Sequence, residues 1–241
     1  MSTLTDDQRC SMLYWYPIIE GVVRTPRTIF VPLSAEVEAW MDSGIPRPFV
    51  EKLKEAASPL CYPLFMRTDQ LAAKHSWVET CYVFSPEMLG GHCYRLIEEN
   101  LMADFLGSMN PRAMVLRRFL VLDAAFRAFK GMPIAREFRV FVKDGSVCCI
   151  HPYWPPESIA FWSGTVEPND WRDQLSELSE LNDRIEAEIR TIALTFSRLV
   201  PGYWSVDVCK TRTDGWYMTD AAVGERSFHW PDCPNAPKKA E

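Results

Sequence analysis

Arg136-Glu137-Phe138-Arg139-Val140-Phe141-Val142-Lys143-Asp144-Gly145-Ser146-Val147 is the stretch whose reading decides the fold. From Glu137 to Val142 charged and apolar residues follow the near-alternating period of a half-buried strand. Asp144-Gly145 is a hairpin turn signal, and Val147-Cys148-Cys149-Ile150 supplies the returning strand. Side-chain alternation puts Glu137, Arg139 and Lys143 on one face and Phe138, Val140 and Val142 on the other. A face that offers Glu, Arg and Lys together can grip phosphates and a metal. The same pattern also describes a solvated sheet face with cross-strand ion pairs, which contribute little. The rest of the chain has to decide between the two.

A second hairpin bears on the choice. Tyr203-Trp204-Ser205-Val206-Asp207-Val208 and Gly215-Trp216-Tyr217-Met218-Thr219-Asp220 flank a turn at Thr213-Asp214-Gly215. Asp207 lies on the rising strand and Asp220 at the end of the returning one, so two carboxylates can meet on one sheet. Mg²⁺ wants oxygen ligands and commonly bridges one or two carboxylates to substrate phosphates. A turn-capping Asp beside an exposed Asp is the plainer reading of the same residues.

Working outward, Thr28 to Leu33 reads as a short strand ended by proline. Glu36 to Met41 reads as a helix stopped at Gly44, and a second helix runs from Pro46 or Pro48 to about Ala57. Pro63 to Arg67 is a strand, followed by a polar connector ending in Lys74-His75-Ser76. That connector contains no glycine and so is no Walker loop. Tyr94, Leu96, Ile97, Leu101 and Phe105 have helical spacing, and Ala113 to Leu120 is a strand. Trp171, Leu175, Leu178, Ile185, Ile189, Ile192, Phe196 and Leu199 predict one long helix, capped by Asn169 or Asp170 and stopped by Pro201-Gly202. Residues 1–10 read as a polar leader, and the tail from Pro231 as loose. The expected division is 1–112, 113–230 and a flexible tail at 231–241.

Composition sets the bounds. The chain has 241 residues, 47% hydrophobic and 24% charged, the balance of a globular protein. Its net charge of −6 argues against general affinity for nucleic acid or anionic membrane, so any phosphate binding must be local. The eight cysteines are scattered, with no C-x-x-C pair and no Cys/His set at zinc-finger spacing. They read as reduced thiols, which together with the absence of a signal-like or membrane-spanning run points to the cytoplasm.

In this order the parts resemble the ATP-grasp superfamily, and within it the cell division cycle protein 123 family. The resembling segments are Cys10 to Tyr16 with Thr28 to Leu33, Arg67 to Trp77, Val115-Leu116-Arg117-Arg118-Phe119, Glu137 to Val142, and Tyr203 to Val208 with Met218-Thr219-Asp220. The resemblance implies an α+β fold, with two α+β subdomains whose antiparallel sheets enclose a nucleotide cleft. It implies ATP and Mg²⁺ as cofactors. Arg67 and Lys74 would face the phosphates, and Arg117, Arg118 and Phe119 would line the adenine hinge. Glu137 and Arg139 would join the phosphate and metal side, with Arg139 and Lys74 as the catalytic pair and Asp207 and Asp220 as metal ligands. Arg67 stands where that family has a lysine. The usual Asp/Glu-x-Asn becomes Asp220-Ala221-Ala222, which leaves Glu225 as the candidate replacement ligand.

Two activities fit the resemblance. One is a ligase that phosphorylates a carboxylate and lets an amine attack. The other is an ATP-binding assembly chaperone acting on a protein client, as that family is associated with eukaryotic translation initiation factor 2. A covalent-lysine nucleotidyltransferase or nucleic-acid ligase with Lys74 as nucleophile is the alternative. It wants Lys-x-Asp-Gly, whereas the chain has Lys74-His75-Ser76-Trp77. A Ser/His hydrolase lacks its Gly-x-Ser-x-Gly elbow.

Overall fold

The structure, a computed structural model, describes residues 4–104, 110–163 and 166–236. In chain order it has helices α1 (Asp6–Cys10) and α2 (Met12–Ile19), strand β1 (Thr28–Pro32), helices α3 (Trp40–Ser43) and α4 (Arg47–Ala57), strands β2 (Leu64–Thr68) and β3 (Tyr82–Val83), and helix α5 (Leu89–Asp104). There follow strands β4 (Ala113–Arg118), β5 (Ala124–Ala128), β6 (Met132–Ala135), β7 (Glu137–Lys143) and β8 (Ser146–Pro152). Helices α6 (Pro156–Ser163), α7 (Trp171–Ser179) and α8 (Asp183–Leu199) lead to strands β9 (Tyr203–Thr211) and β10 (Gly215–Val223). The elements form two compact units. One comprises Met1–Thr25, Val121–Arg127 and Pro133–Glu241, the other Pro26–Leu120 and Ala128–Met132. The first 25 residues thus join the two hairpins rather than the segment that follows them.

In the unit built on residues 26–120 the sheet is antiparallel, in the order β1-β4-β2-β3. Alternation on β2 and β4 sends Leu64, Met66, Met114 and Leu116 to one face. There they meet Leu53 and Ala57 of α4 and Cys93, Leu96 and Ile97 of α5, residues set three or four apart on their helices. The opposite face receives Phe65, Arg67, Val115 and Arg117, in register as Phe65↔Arg117 and Arg67↔Val115. The expected Phe105 of this helical stripe lies outside the described residues.

In the other unit β10-β9-β7-β8 form a second antiparallel sheet. Phe138, Val140, Val142, Val206 and Val208 are fully buried on its helix-covered face, with Ile189, Ala193 and Phe196 of α8. Phe196 sits edge-on between Trp15 of α2 and Trp204 of β9, at centroid distances of 6.3 and 5.5 Å. The single helix expected over 169–199 is two helices. Asn182 is the reason: its side chain accepts from Ile185 N at 3.0 Å and opens α8 as an N-cap, while the peptide at Glu180 turns extended. The apolar stripe runs through the break because both helices face the same core. The polar leader also has structure, since Thr5 and Gln8 close a capping box on α1. No helix among the described residues is long and apolar enough to cross a membrane.

Phe196→Ala is expected to cost about 3–5 kcal/mol and Asn182→Ala about 1 kcal/mol, because the first empties a dry aromatic contact and the second only orphans one helix donor. Urea unfolding of the two variants checks the ranking. Equal losses would show that α8 is held by its cap rather than by its packing.

Candidate functional site

On the sheet face turned away from α8, Arg139 is the central group. Its Nε and Nη2 donate to Oδ1 and Oδ2 of Asp207 at 2.8 and 2.9 Å, a two-pronged pair between directly opposed residues of β7 and β9. The guanidinium lies 4.9 Å from the Tyr153 ring centroid. Burial alone would lower the Arg139 pKa. The charge and hydrogen bonds of Asp207, with Tyr153 and Asp220, outweigh that and raise it, so the arginine is charged throughout the physiological range.

Asp220 reaches the same face by way of a bulge. On β10, Met218 opposes Val208 while Asp220 opposes Asp207, so Thr219 is an extra residue; its hydroxyl donates to Asp207 O at 3.3 Å. Without the insertion Asp220 would follow Met218 onto the helix-covered face, because strand neighbours two apart point the same way. The bulge therefore makes a two-carboxylate pair out of residues that strict alternation would separate. Glu137, only 6% exposed, begins β7 on this same face, diagonal to Asp207.

Other expected residues of this unit behave differently. Ala222 opposes Ser205, whose hydroxyl is engaged with Ser227 at 2.6 Å, so no ligand stands in the third position. Glu225 is exposed on the turn after β10. Among the described residues it does not join Asp207 and Asp220 in a three-ligand cluster. Nor are the cysteines wholly scattered: Cys149, His151, His229 and Cys233 bring their ligand atoms within 4.8 Å of one another. That set was missed because its halves, Cys-x-His and His-x3-Cys, lie far apart in the chain. The signal was Cys149 and His151 two apart on one strand.

In the β1–β4 unit Arg67 and Arg117 are each 3% exposed, on the face away from α4 and α5. Arg67 Nε donates to Thr68 O and Arg117 Nε to Thr28 Oγ1, at 3.0 and 3.1 Å. The connector after β2 holds its shape through side chains rather than glycine. The Thr68 hydroxyl accepts from Gln70 N and Leu71 N and donates to Asn100 Oδ1, and the buried Asp69 carboxylate accepts from Arg112 N and Ala113 N. Ala73 then turns left-handed (φ 46°) and Lys74 opens a 3₁₀ helix over Lys74–Glu79. Lys74 and Arg67 act on one group: burial pushes the Cys81 thiol up to about 12, and both cations pull against that shift. Phe119 packs against Tyr82 and Trp77 at 5.4 and 6.4 Å, an aromatic patch that runs out to exposed Phe84. Arg118 ends β4 exposed.

With this geometry in place, comparison with known proteins is informative. The family model of an ATP-grasp domain, clade family 3, matches residues 43–228. The chain belongs to this family. As an ATP-grasp chain it shares its fold with C-terminally truncated Cdc123 from Schizosaccharomyces pombe (TM-score 0.62, 13% identity, covering 92% of this chain and 87% of that one). A second structure of Cdc123 from that yeast gives 0.57 at 14% identity, with the same coverage. N5-carboxyaminoimidazole synthase from Aspergillus clavatus, in complex with ADP and 5-aminoimidazole ribonucleotide, gives 0.50 at 10% identity, covering 88% of this chain and 44% of that one. At these identities the likeness is one of fold. No curated protein sequence matches the chain.

Because Asp207 is 4% exposed, removing its partner strands a buried charge. Arg139→Met is expected to cost about 3–5 kcal/mol, and Arg139→Met combined with Asp207→Leu to recover most of it. Chemical denaturation of the cycle checks this. Equal losses in the single and double variants would mean that the ion pair is not what Arg139 contributes.

Proposed function

We propose that this ATP-grasp protein binds Mg·ATP through one two-carboxylate metal position and turns it over slowly. The observation that carries the reading is the opposed Asp207 and Asp220 pair beside the Arg139 fork. The residues fit a magnesium ion. Each Asp207 oxygen keeps a second lone pair beyond the one given to Arg139, Asp220 supplies another carboxylate, and phosphate oxygens and water complete the shell of a hard cation. When bound, the ion neutralises charge on the phosphate oxygens.

The chain's own residues divide the remaining work. Arg139 fixes the orientation of Asp207, so that its oxygens are set before nucleotide arrives. Lys74 serves as a point charge for phosphate and Arg67 as a planar donor, in the roles the family resemblance implies. Phe119, braced by Trp77 and Tyr82, offers an aromatic edge for the base, with Arg117 and Arg118 on the strand before it. Glu137 adds a buried carboxylate to the metal side. Ala222 is why slow turnover is favoured over an efficient carboxylate–amine ligase: it presents no ligand where the resembling enzymes place asparagine. An ATP-dependent assembly role on a protein client fits that chemistry better.

Titration calorimetry is expected to show ATP binding that requires Mg²⁺, and Asp207→Ala and Lys74→Ala are each expected to weaken it by about tenfold or more, the loss of roughly one charged contact. No binding by the parent chain would sink the proposal. Ala222→Asn is expected to raise ADP release. Rapid ADP release by the parent, dependent on an added carboxylate and amine pool, would establish the ligase instead.

A further inference from the structure

Beyond the nucleotide residues, the hairpin unit contains a four-ligand cluster. Cys149 and His151 are two apart on β8 and point to one face, while His229 and Cys233 come from the segment after β10. That segment folds back on itself with Cys233 N donating to Trp230 O at 3.0 Å. It is fastened to β8 by Trp230 Nε1 to Pro152 O and Asn235 Nδ2 to Cys148 O, at 3.0 and 2.9 Å. The four ligand atoms lie within 4.8 Å of one another, and Cys149 Sγ is 3.8 Å from His229 Nδ1. Tetrahedral Zn²⁺ with bonds of about 2.0–2.3 Å sets its ligands roughly 3.3–3.8 Å apart, so a small contraction about a common centre completes the site.

We propose that Cys149, His151, His229 and Cys233 form a structural Zn²⁺ site that pins the C-terminal segment onto the hairpin sheet. Three further features belong to such a site. The Nε2 of His229 is 2.9 Å from the Tyr203 hydroxyl, which fixes the ring with Nδ1 toward Cys149 in the manner of an outer-shell partner. His151 Nε2 is shut off from solvent and has no hydrogen-bond partner, a buried orphan that coordination through that nitrogen would satisfy. Phe141 stacks on His229 at 3.6 Å and meets His151 edge-on at 5.6 Å, walling the cluster with an apolar ring. Two thiols and two imidazoles select zinc over magnesium or calcium, which want oxygen. Uptake releases the two thiol protons to solvent and leaves both imidazoles neutral, so charge balances as Zn²⁺ plus two thiolates. All four ligands close, with no open position for a substrate, so the site is structural.

The site also has a mechanical consequence. His151 opposes Arg139 in the β7–β8 register, so the metal would hold the strand that flanks the Arg139–Asp207 pair.

Metal analysis of the full chain, produced with zinc and without a histidine tag, is expected to give about one Zn²⁺ per chain. Cys149→Ser with Cys233→Ser is expected to lose it. Replacement by Co²⁺ is expected to give the visible bands of a tetrahedral thiolate site. Should the double variant fail to fold, His229→Cys keeps four ligands and is expected to retain the metal with a stronger thiolate charge-transfer band. Tyr203→Phe is expected to keep the stoichiometry but weaken Zn²⁺ about 10–100-fold, as loss of an outer-shell partner does. Failure of the parent to take up zinc on reconstitution, zinc retained in the Cys149/Cys233 variant, or a Cys149–Cys233 disulfide formed in place of metal binding would each overturn the proposal. Asp207→Ala is expected to keep its zinc, so this test stands or falls apart from the nucleotide reading.

Discussion

The hairpin sheet turns on the pairing of Arg139 with Asp207. Each is expensive to bury alone, and neither could occupy the middle of a sheet without the other. Their mutual satisfaction lets one face of the sheet be charged while the other packs dry against α8. Asp220, Glu137 and Tyr153 are then placed relative to a fixed carboxylate instead of a mobile one. The bulge at Thr219 supplies what register alone does not, by turning Asp220 from the helix-covered face to the charged one.

Much of this was readable in the residues, for physical reasons that differ from place to place. The two hairpins announced themselves through Asp144-Gly145 and Asp214-Gly215, where glycine takes the positive φ the turns require. The alternation of Glu137, Arg139 and Lys143 against Phe138, Val140 and Val142 told the two faces apart, because a strand has only two. The family order of the motifs placed Asp207 with Asp220.

What escaped the sequence shares a common cause. The helix break at Asn182 interrupts the chain without interrupting the apolar stripe, and periodicity reports the stripe. Thr219 is one unremarkable residue, and an insertion of one cannot be seen unless the partner strand is known. Cys149 and His151 are linked to His229 and Cys233 only through the course of β9 and β10, so no local window contains the set. The connector before Lys74 was likewise opaque: Thr68, Asp69 and Asn100 do with side chains what glycines do in a phosphate loop, and Asn100 comes from a helix 32 residues away.

The segment from Trp230 to Asn235 has one more consequence. β8 is an outer strand of its sheet, and outer strands offer backbone groups to any extended chain that drifts past. An indole from Trp230 and a carboxamide from Asn235 already occupy the carbonyls of Pro152 and Cys148. The residues that close the cysteine and histidine cluster therefore also cover part of that rim, and the sheet is a poorer template for aggregation than its strand order alone would suggest.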